Sequence, residues 1–442
     1  MQIILLSGGS GKRLWPLSND VRSKQFIKIL KDDHGELESM VMRVYRQIME
    51  AVPEAQVTIA TGKKQVSSIK NQLGDRVRIC VEPERRDTFP AISLAAAYLK
   101  DVEGVGEQEP VIVCPVDPYV EVQYFQALKR LGELAAEGGA ELFLMGMEPT
   151  YPSEKYGYII PESSEPISVV QAFREKPDLE TAKHYLDQGA LWNGGVFACK
   201  LGYLLEKAHQ QMDFATYWDL YHNYSQTQKI SFDYAVVEKE VHIRVLRYSG
   251  EWKDLGTWNT FTEAMGGNTL GKVAMDETCR NTNVINELNI PILCMGCKDM
   301  VIAASGDGIL VSDKGQSSYI KPFVDKMEQQ VMYAEKSWGS FTVLDVQEES
   351  LVIRIVLLPG HSLYYHSHEH RDEVWTVMSG KGRVILDGEE RSVGPGDVVA
   401  MPAGCKHTVL AETELKINEV QLGRDITVED KVKYELSDKK FW

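Results

Sequence analysis

Long apolar runs are missing from this chain. A membrane-spanning helix takes about 20 consecutive apolar residues, and no hydrophobic stretch reaches that length. The N-terminus begins at once with Ile3-Ile4-Leu5-Leu6, too short for a signal peptide and without its basic flank. The sequence therefore predicts a cytoplasmic protein with no membrane partner. Positive charge is in short supply too: 48 Lys and Arg stand against 64 Asp and Glu, a formal net charge of -16. Such a surface repels phosphodiester backbones, which excludes nucleic acid as an expected partner. Cysteines are seven, scattered and odd in number, so a disulfide framework is excluded. One Cys-x-x-Cys, Cys294 to Cys297, has neither a second pair nor a nearby histidine; it reads as a half-buried strand end rather than a zinc or redox centre. Long repeats and low-complexity tracts are also lacking.

What is present is alternation. The chain of 442 residues is too long for one core, and two or three domains are expected. Ile3–Leu6, Val57–Thr61, Val77–Glu82 and Val111–Asp117 are continuous apolar strands separated by helical stretches. Strands without polar alternation are buried on both faces, which implies an open α/β sheet, Rossmann-like, over residues 1–265. Residues 266–330 read as a small β connector, with a helical or irregular bridge following from Asp325. From 331 to 442 short strands broken by Gly, Pro and Asp turns predict a β-barrel. Open barrel edges also leave room for a homodimer.

Cations concentrate where the first strand ends. Gly8, Gly9, Ser10 and Gly11 are followed by Lys12, Arg13, Arg22 and Lys24, against a single acid, Asp20. Glycines let backbone N–H groups close around an anion, and the carboxyl end of a parallel strand is where open α/β sheets bind ligands. Neither the Walker A nor the G-x-G-x-x-G spacing is present.

Gly8-Gly9-Ser10-Gly11-Lys12-Arg13-Leu14-Trp15-Pro16-Leu17, then Ser23-Lys24-Gln25-Phe26, resembles the signature of sugar-1-phosphate nucleotidyltransferases, G-G-x-G-T/S-R-L-x-P-L followed by P-K-Q-F. Lys12 and Ser23 depart from it. Further segments are similar to the mannose-1-phosphate guanylyltransferases: Glu82–Ala91 to E-P-x-x-R-N-T-A-P-A, Cys114–Val120 to L-P-x-D-H-x-I, Phe173–Pro177 to the E-K-P element, Trp192–Phe197 to W-N-S-G-M-F, and Trp252–Trp258 to W-x-D-V-G-S-W. Order and rough spacing agree over about 260 residues.

The resemblance implies a mixed sheet of the GT-A type and the synthesis of a nucleotide sugar, GDP-mannose, from GTP and mannose 1-phosphate with release of pyrophosphate. It implies catalytic roles for Arg13, Lys24, Asp117, Lys176 and Asp254. It assigns the nucleotide to Leu6, Gly8, Gly9, Gly11, Arg13, Glu82, Arg86, Asp87 and Thr88, and the sugar to Gly157, Glu175, Asn193 and Asp233. Asp117 and Asp254 are the expected Mg²⁺ ligands: a lone carboxylate at the end of a buried strand is costly unless it holds a cation, and Mg²⁺ takes carboxylates, phosphate oxygens and water. The alternatives are a different base or sugar with a non-isomerase cupin, and a nucleotide-sugar sensor or scaffold.

In the C-terminal part, His366-Ser367-His368, Glu373 and His407, framed by Gly360, Gly380, Gly396, Pro402 and Gly404, resemble both cupin motifs. His366 and His368 are i and i+2 on a strand and face the same side. Three imidazoles and a carboxylate suit Zn, Fe, Mn, Ni or Co. Pro359–Trp375 is similar to type II phosphomannose isomerases, which implies mannose-6-phosphate isomerisation. His366 for Gln, Asp372 for Ala, Val374 for His and Lys433 for Arg depart from that pattern and predict a metal-loaded cupin with weak or absent isomerase activity.

Overall fold

The computed structural model describes the chain apart from Ser10, Asp20, residues 328–330, Asp425, Val428 and residues 436–442. The chain folds into two compact units. The first comprises Met1–Arg13, Ser23–Ile69 and Leu73–Asn268; the second comprises Leu14–Arg22, Lys70–Gln72 and Thr269–Trp442.

The first unit is built on a nine-stranded mixed sheet. Its order is Arg78–Glu82, Gln56–Gly62, Gln2–Ser7, Pro110–Pro115, Leu191–Lys200, Leu142–Met147, Ile243–Tyr248, Ile167–Arg174 and Tyr158–Pro161. The first four strands run parallel, with Ile3 paired to Val57 on one side and Ile112 on the other. Leu191–Lys200 is antiparallel to its neighbours Pro110–Pro115 and Leu142–Met147. Ile3, Ile4 and Leu5 are fully buried, which is why this strand carries no polar alternation; each such side chain contributes about 1.5–3 kcal/mol of burial.

Helix Thr88–Asp101 packs into the same core with Ile92, Leu94, Ala95, Ala96 and Leu99 buried. Small side chains on several faces let it lie close to strands and helices at once. The side chain of Asp87 caps it by accepting from the Thr88 amide at 2.8 Å. Because the parallel strands share a direction, Ser7, Glu82 and Pro115 end at one edge of the sheet, and the loops that follow them build the site.

The second unit contains two β assemblies. Thr269–Leu270, Asn283–Asn286, Met300–Ser305 and Gly308–Asp313 form a four-stranded sheet, and Val273–Met275 pairs in parallel with Ile292–Cys294. Cys279, Cys294 and Cys297 join one small apolar cluster here, and all seven cysteines are free thiols. The segment Leu14–Arg22 is tied to this region: the Asn19 amide donates to Asp307 at 2.6 Å, and the Ser305 hydroxyl donates to the Pro16 carbonyl at 2.7 Å. Arg22 forks onto Glu287 at 2.7 and 2.9 Å, so this cation of the opening cluster is neutralised by a partner of its own.

Six strands, in the order Tyr333–Lys336, Gly339–Val346, Ser350–Leu357, Leu415–Leu422, Asp372–Ser379 and Val398–Met401, face five others to make the barrel. Trp375, Leu357, Val399, Val409, Leu415 and Ile417 fill its core. Tyr333–Lys336 belongs to the stretch expected as a helical or irregular bridge. It is a strand instead, because a tight turn at Ser337–Trp338 folds it back onto Gly339–Val346 and buries Ala334.

Candidate active site and metal centre

After Ser7 the chain passes through Gly8 and Gly9 into the single turn Gly11–Leu14. Gly9 has φ 128° with no atom near where a Cβ would stand, so backbone conformation and not space demands glycine there. Leu6, Gly8, Gly9, Glu82, Asp87 and Thr88 line one cavity of about 290 Å³. Burial pushes the Glu82 carboxyl above its ordinary range, against the pull of the Tyr224 hydroxyl, which donates to it at 2.8 Å.

The arginine of this cavity differs from the one expected. Arg85 lines it and donates to the Gly9 carbonyl at 2.6 Å. Arg86 turns away onto Glu84 at 2.7 Å and the Ser225 carbonyl. Arg13 is exposed on the Gly11–Leu14 turn and is not part of the cavity wall.

A second cavity, of about 280 Å³, is lined by Asp117, Gly157, Glu175, Asn193, Asp233 and Asp254. Asp117 and Pro115 belong to both cavities. Asp254 reaches Asp117 because Trp252–Asp254 pairs antiparallel with Pro118–Val120, placing Asp254 opposite Pro118. The Lys24 ammonium bridges the two carboxylates, 2.8 Å from Asp117 Oδ2 and 3.5 Å from Asp254 Oδ1. Burial works to lower the Lys24 pKa, but the two carboxylates outweigh it and the net shift is upward. The two carboxylates thus already share one cation.

In the second cavity the Asn193 amide donates to Asp233 at 2.7 Å, and its oxygen accepts from the Gly195 amide at 3.0 Å. Glu175 Oε2 is buried without a partner. A Cβ on Gly157 would stand 2.4 Å from that oxygen, so glycine here keeps the carboxylate open to the cavity. Burial first and Glu175 second push Asp233 up to about 6. Lys176 has φ 45° and pairs with Glu175 Oε1, its own side chain mostly exposed and outside the cavity wall. Lys155, Tyr156 and Trp252, not expected as site residues, also line it. Tyr156 packs its ring against Trp192 and Trp252, with centroids 4.9 and 5.3 Å away.

In the barrel, His366, His368, Glu373 and His407 converge, with one ligand atom from each lying within 4.8 Å of the others. All four are 2% exposed. Each imidazole places Nδ1 on a backbone carbonyl: His366 on Tyr364 at 2.6 Å, His368 on Asp430 at 3.3 Å and His407 on Cys405 at 3.0 Å. A carbonyl only accepts, so Nδ1 carries the proton and Nε2 presents its lone pair to the common centre. Burial lowers the His366 pKa and keeps it neutral, the form that ligates a metal. Glu373 Oε2 and His407 Nε2 are buried without a hydrogen-bond partner. Unpartnered lone pairs converging in a dry site fit a bound cation. Arg371 flanks the cluster, donating to Glu373 Oε1 and His368 Nε2, both at 3.1 Å.

Residues 2–269, more than half of the chain, match the profile of the nucleotidyl transferase family. The chain belongs to that family. Residues 353–418 match the cupin domain. The nucleotidyl transferase fold and the barrel are thus those expected from the motifs, and the chain is a transferase enzyme. Mannose-1-phosphate guanylyltransferase of Escherichia coli K12 is 27% identical over 98% of this chain and 97% of its own length. The xanthan biosynthesis protein XanB of Xanthomonas campestris is 28% identical over 98% and 97%. The crystal structure of mannose-1-phosphate geranyltransferase from Thermus thermophilus superimposes with a TM-score of 0.60 at 27% identity, covering 74% of this chain and 98% of that one. Among the described residues no helix is long and apolar enough to cross a membrane.

Proposed function

We propose that this nucleotidyl transferase joins GTP and mannose 1-phosphate into GDP-mannose and pyrophosphate. The observation that carries the reading is the wall shared by the two cavities: Asp117 lines both, with Asp254 and Lys24 beside it. A nucleotide in the first and a sugar phosphate in the second bring their phosphates together at that wall. The sugar phosphate oxygen forms a bond to the α-phosphorus as the bond to pyrophosphate breaks. Little covalent help is needed, so positioning and charge neutralisation do most of the work. Asp117 and Asp254 would hold Mg²⁺, which supplies positive charge for the phosphates.

In this reading the glycine loop and Arg85 receive the triphosphate, with Arg13 reaching the leaving pyrophosphate. Lys24, released from the two carboxylates when they take a divalent ion, serves the phosphate oxygens. Glu175, Asn193 and Asp233 take the sugar hydroxyls, and Lys176 meets the sugar phosphate. His366, His368, Glu373 and His407 would hold a divalent transition metal, Zn, Fe, Mn, Ni or Co. Residues 1–265 carry the transfer, 266–330 connect, and 331–442 form the metal-bearing barrel with at most weak mannose-6-phosphate isomerase activity. A cytoplasmic location and a homodimer complete the proposal. Product analysis tests it: incubation with GTP, mannose 1-phosphate and Mg²⁺ yields a compound co-eluting with GDP-mannose, and unchanged substrates would overturn it.

A further inference from the structure

A half-open cavity of about 470 Å³ lies beside the His366, His368, Glu373 and His407 cluster, and its lining is divided. One wall is mostly apolar, Trp338, Phe341, Val343, Ile353, Ile355 and Leu363, with Lys336 its one cation, the ammonium 5.6 Å from the centre of the Phe341 ring. The other end carries the ligands His366 and Glu373 together with Arg371, Glu419, Gln421 and Lys431. A volume of this size buries a small molecule.

Most polar groups at that end are already committed. Arg371 spends its three nitrogens on Glu373 Oε1 at 3.1 Å, the Thr427 carbonyl at 2.8 Å and His368 Nε2 at 3.1 Å. Glu419 accepts from the Trp375 indole at 3.0 Å and from the Gln421 amide. That second bond fixes the orientation of the Gln421 amide and leaves its Oε1, on a side chain 5% exposed, without a partner. Lys433, which stands where the isomerase pattern has an arginine, is exposed, its ammonium 4.2 Å from the centre of the Tyr364 ring, and is not part of the cavity wall. A sugar phosphate carries a hydroxyl on nearly every carbon. Against this wall those hydroxyls would lose water and gain nothing.

We propose that the cupin cavity binds an amphiphilic 2-hydroxy acid: a carboxylate with a neighbouring hydroxyl as the head, and an aliphatic or aromatic body. His366, His368, Glu373 and His407 would hold the ion through three imidazoles and one carboxylate, and an ion with further positions would take a carboxylate and its α-oxygen together. The hydroxyl proton has its acceptor in Gln421 Oε1. Lys431 supplies positive charge for the carboxylate at the same end, where Arg371 is already held by Glu373 and His368. The apolar wall takes the body. The inference is independent of the transferase chemistry and rests on the metal reading of the cluster.

The experiment uses the full chain, loaded with Zn²⁺ or Fe²⁺, its metal content measured first. Calorimetric titration with mandelate, lactate, phenylglyoxylate and mannose 6-phosphate then reads binding directly. Mandelate is expected to bind about 10-fold or more tightly than lactate, which has the same head and almost no body. Gln421→Leu is expected to weaken mandelate several-fold and to leave phenylglyoxylate, which has no hydroxyl to donate, unchanged. A metal-loaded protein that prefers mannose 6-phosphate, or that binds lactate as well as mandelate, overturns the ligand class while the metal reading stands. A folded protein that takes up no metal overturns both.

Discussion

The ammonium of Lys24 lies between the carboxylates of Asp117 and Asp254, 2.8 Å from one and 3.5 Å from the other. This contact joins residues from three separate parts of the chain at the wall between two cavities. In the proposed reaction the two carboxylates would take a divalent ion, and Lys24 would give way to it.

Asp117→Asn is therefore expected to lower turnover by about 10²-fold or more, because one ligand of the proposed Mg²⁺ loses its charge. Substrate binding should suffer less. Steady-state kinetics of Asp117→Asn and Asp254→Asn check this, and near-normal turnover in both would remove the metal assignment.

Arg85 and Arg86 separate cleanly by kinetics. Arg85 lines the cavity proposed for the nucleotide, whereas Arg86 is bound to Glu84 and Ser225. Arg85→Ala should reduce kcat/KM for the nucleoside triphosphate by about 10-fold or more, the loss of one charge-assisted contact. Arg86→Ala should change it by less than about 3-fold. The reverse order would return the role to Arg86.

The adjacency of these two arginines shows where the sequence stops being legible. The apolar strands, the glycine loop and the four barrel ligands could be read because their pattern is local: burial on both faces removes alternation, and His366 and His368 share a face through the strand repeat. The choice between Arg85 and Arg86 depends on the turn that leads into Asp87, whose φ is 74°, and no neighbouring pattern reveals it. Arg22 looked like part of an anion site until its partner Glu287, far along the chain, was placed. The pairing of Trp252–Asp254 with Pro118–Val120 is likewise non-local. Tyr333–Lys336 is too short and too polar to announce a strand without the strand it pairs with.

Asp233 carries a pH dependence. Its carboxyl is raised from 3.8 to about 6, by burial first and by Glu175 second. The folded state thus holds a proton that the unfolded state has released, so this group's contribution to stability is present below about pH 4 and is lost as pH rises to about 6. Asp233→Asn should remove that loss and raise stability at pH 8 relative to pH 4 by roughly 1–3 kcal/mol compared with the parent. Urea unfolding at the two pH values measures it; an identical pH dependence in the two proteins would contradict the assignment.

Gly157→Ala puts a methyl group 2.4 Å from Glu175 Oε2. The carboxylate must shift from the second cavity, so KM for the sugar phosphate should rise by about 10-fold while KM for the triphosphate stays within about 2-fold. A rise confined to the triphosphate would mean that the two cavities have been assigned the wrong way round.

Removing the barrel metal should be visible without any activity. A cation held by four buried ligands binds only the folded barrel, so treatment with EDTA should lower the melting temperature of the full chain, and readdition of Zn²⁺ should restore it. His368→Ala should melt low with or without EDTA. A melting temperature indifferent to chelator in the parent protein would argue against the centre.

Whether this transferase pairs a guanine nucleotide with mannose 1-phosphate is decided by a substrate matrix. Pyrophosphate release is measured for ATP, CTP, GTP and UTP, each against mannose 1-phosphate, glucose 1-phosphate and galactose 1-phosphate, with Mg²⁺ present. GTP with mannose 1-phosphate should give the highest kcat/KM, and Asp117→Asn should lose it. A different pair leading the matrix, or no release with any pair, would contradict it.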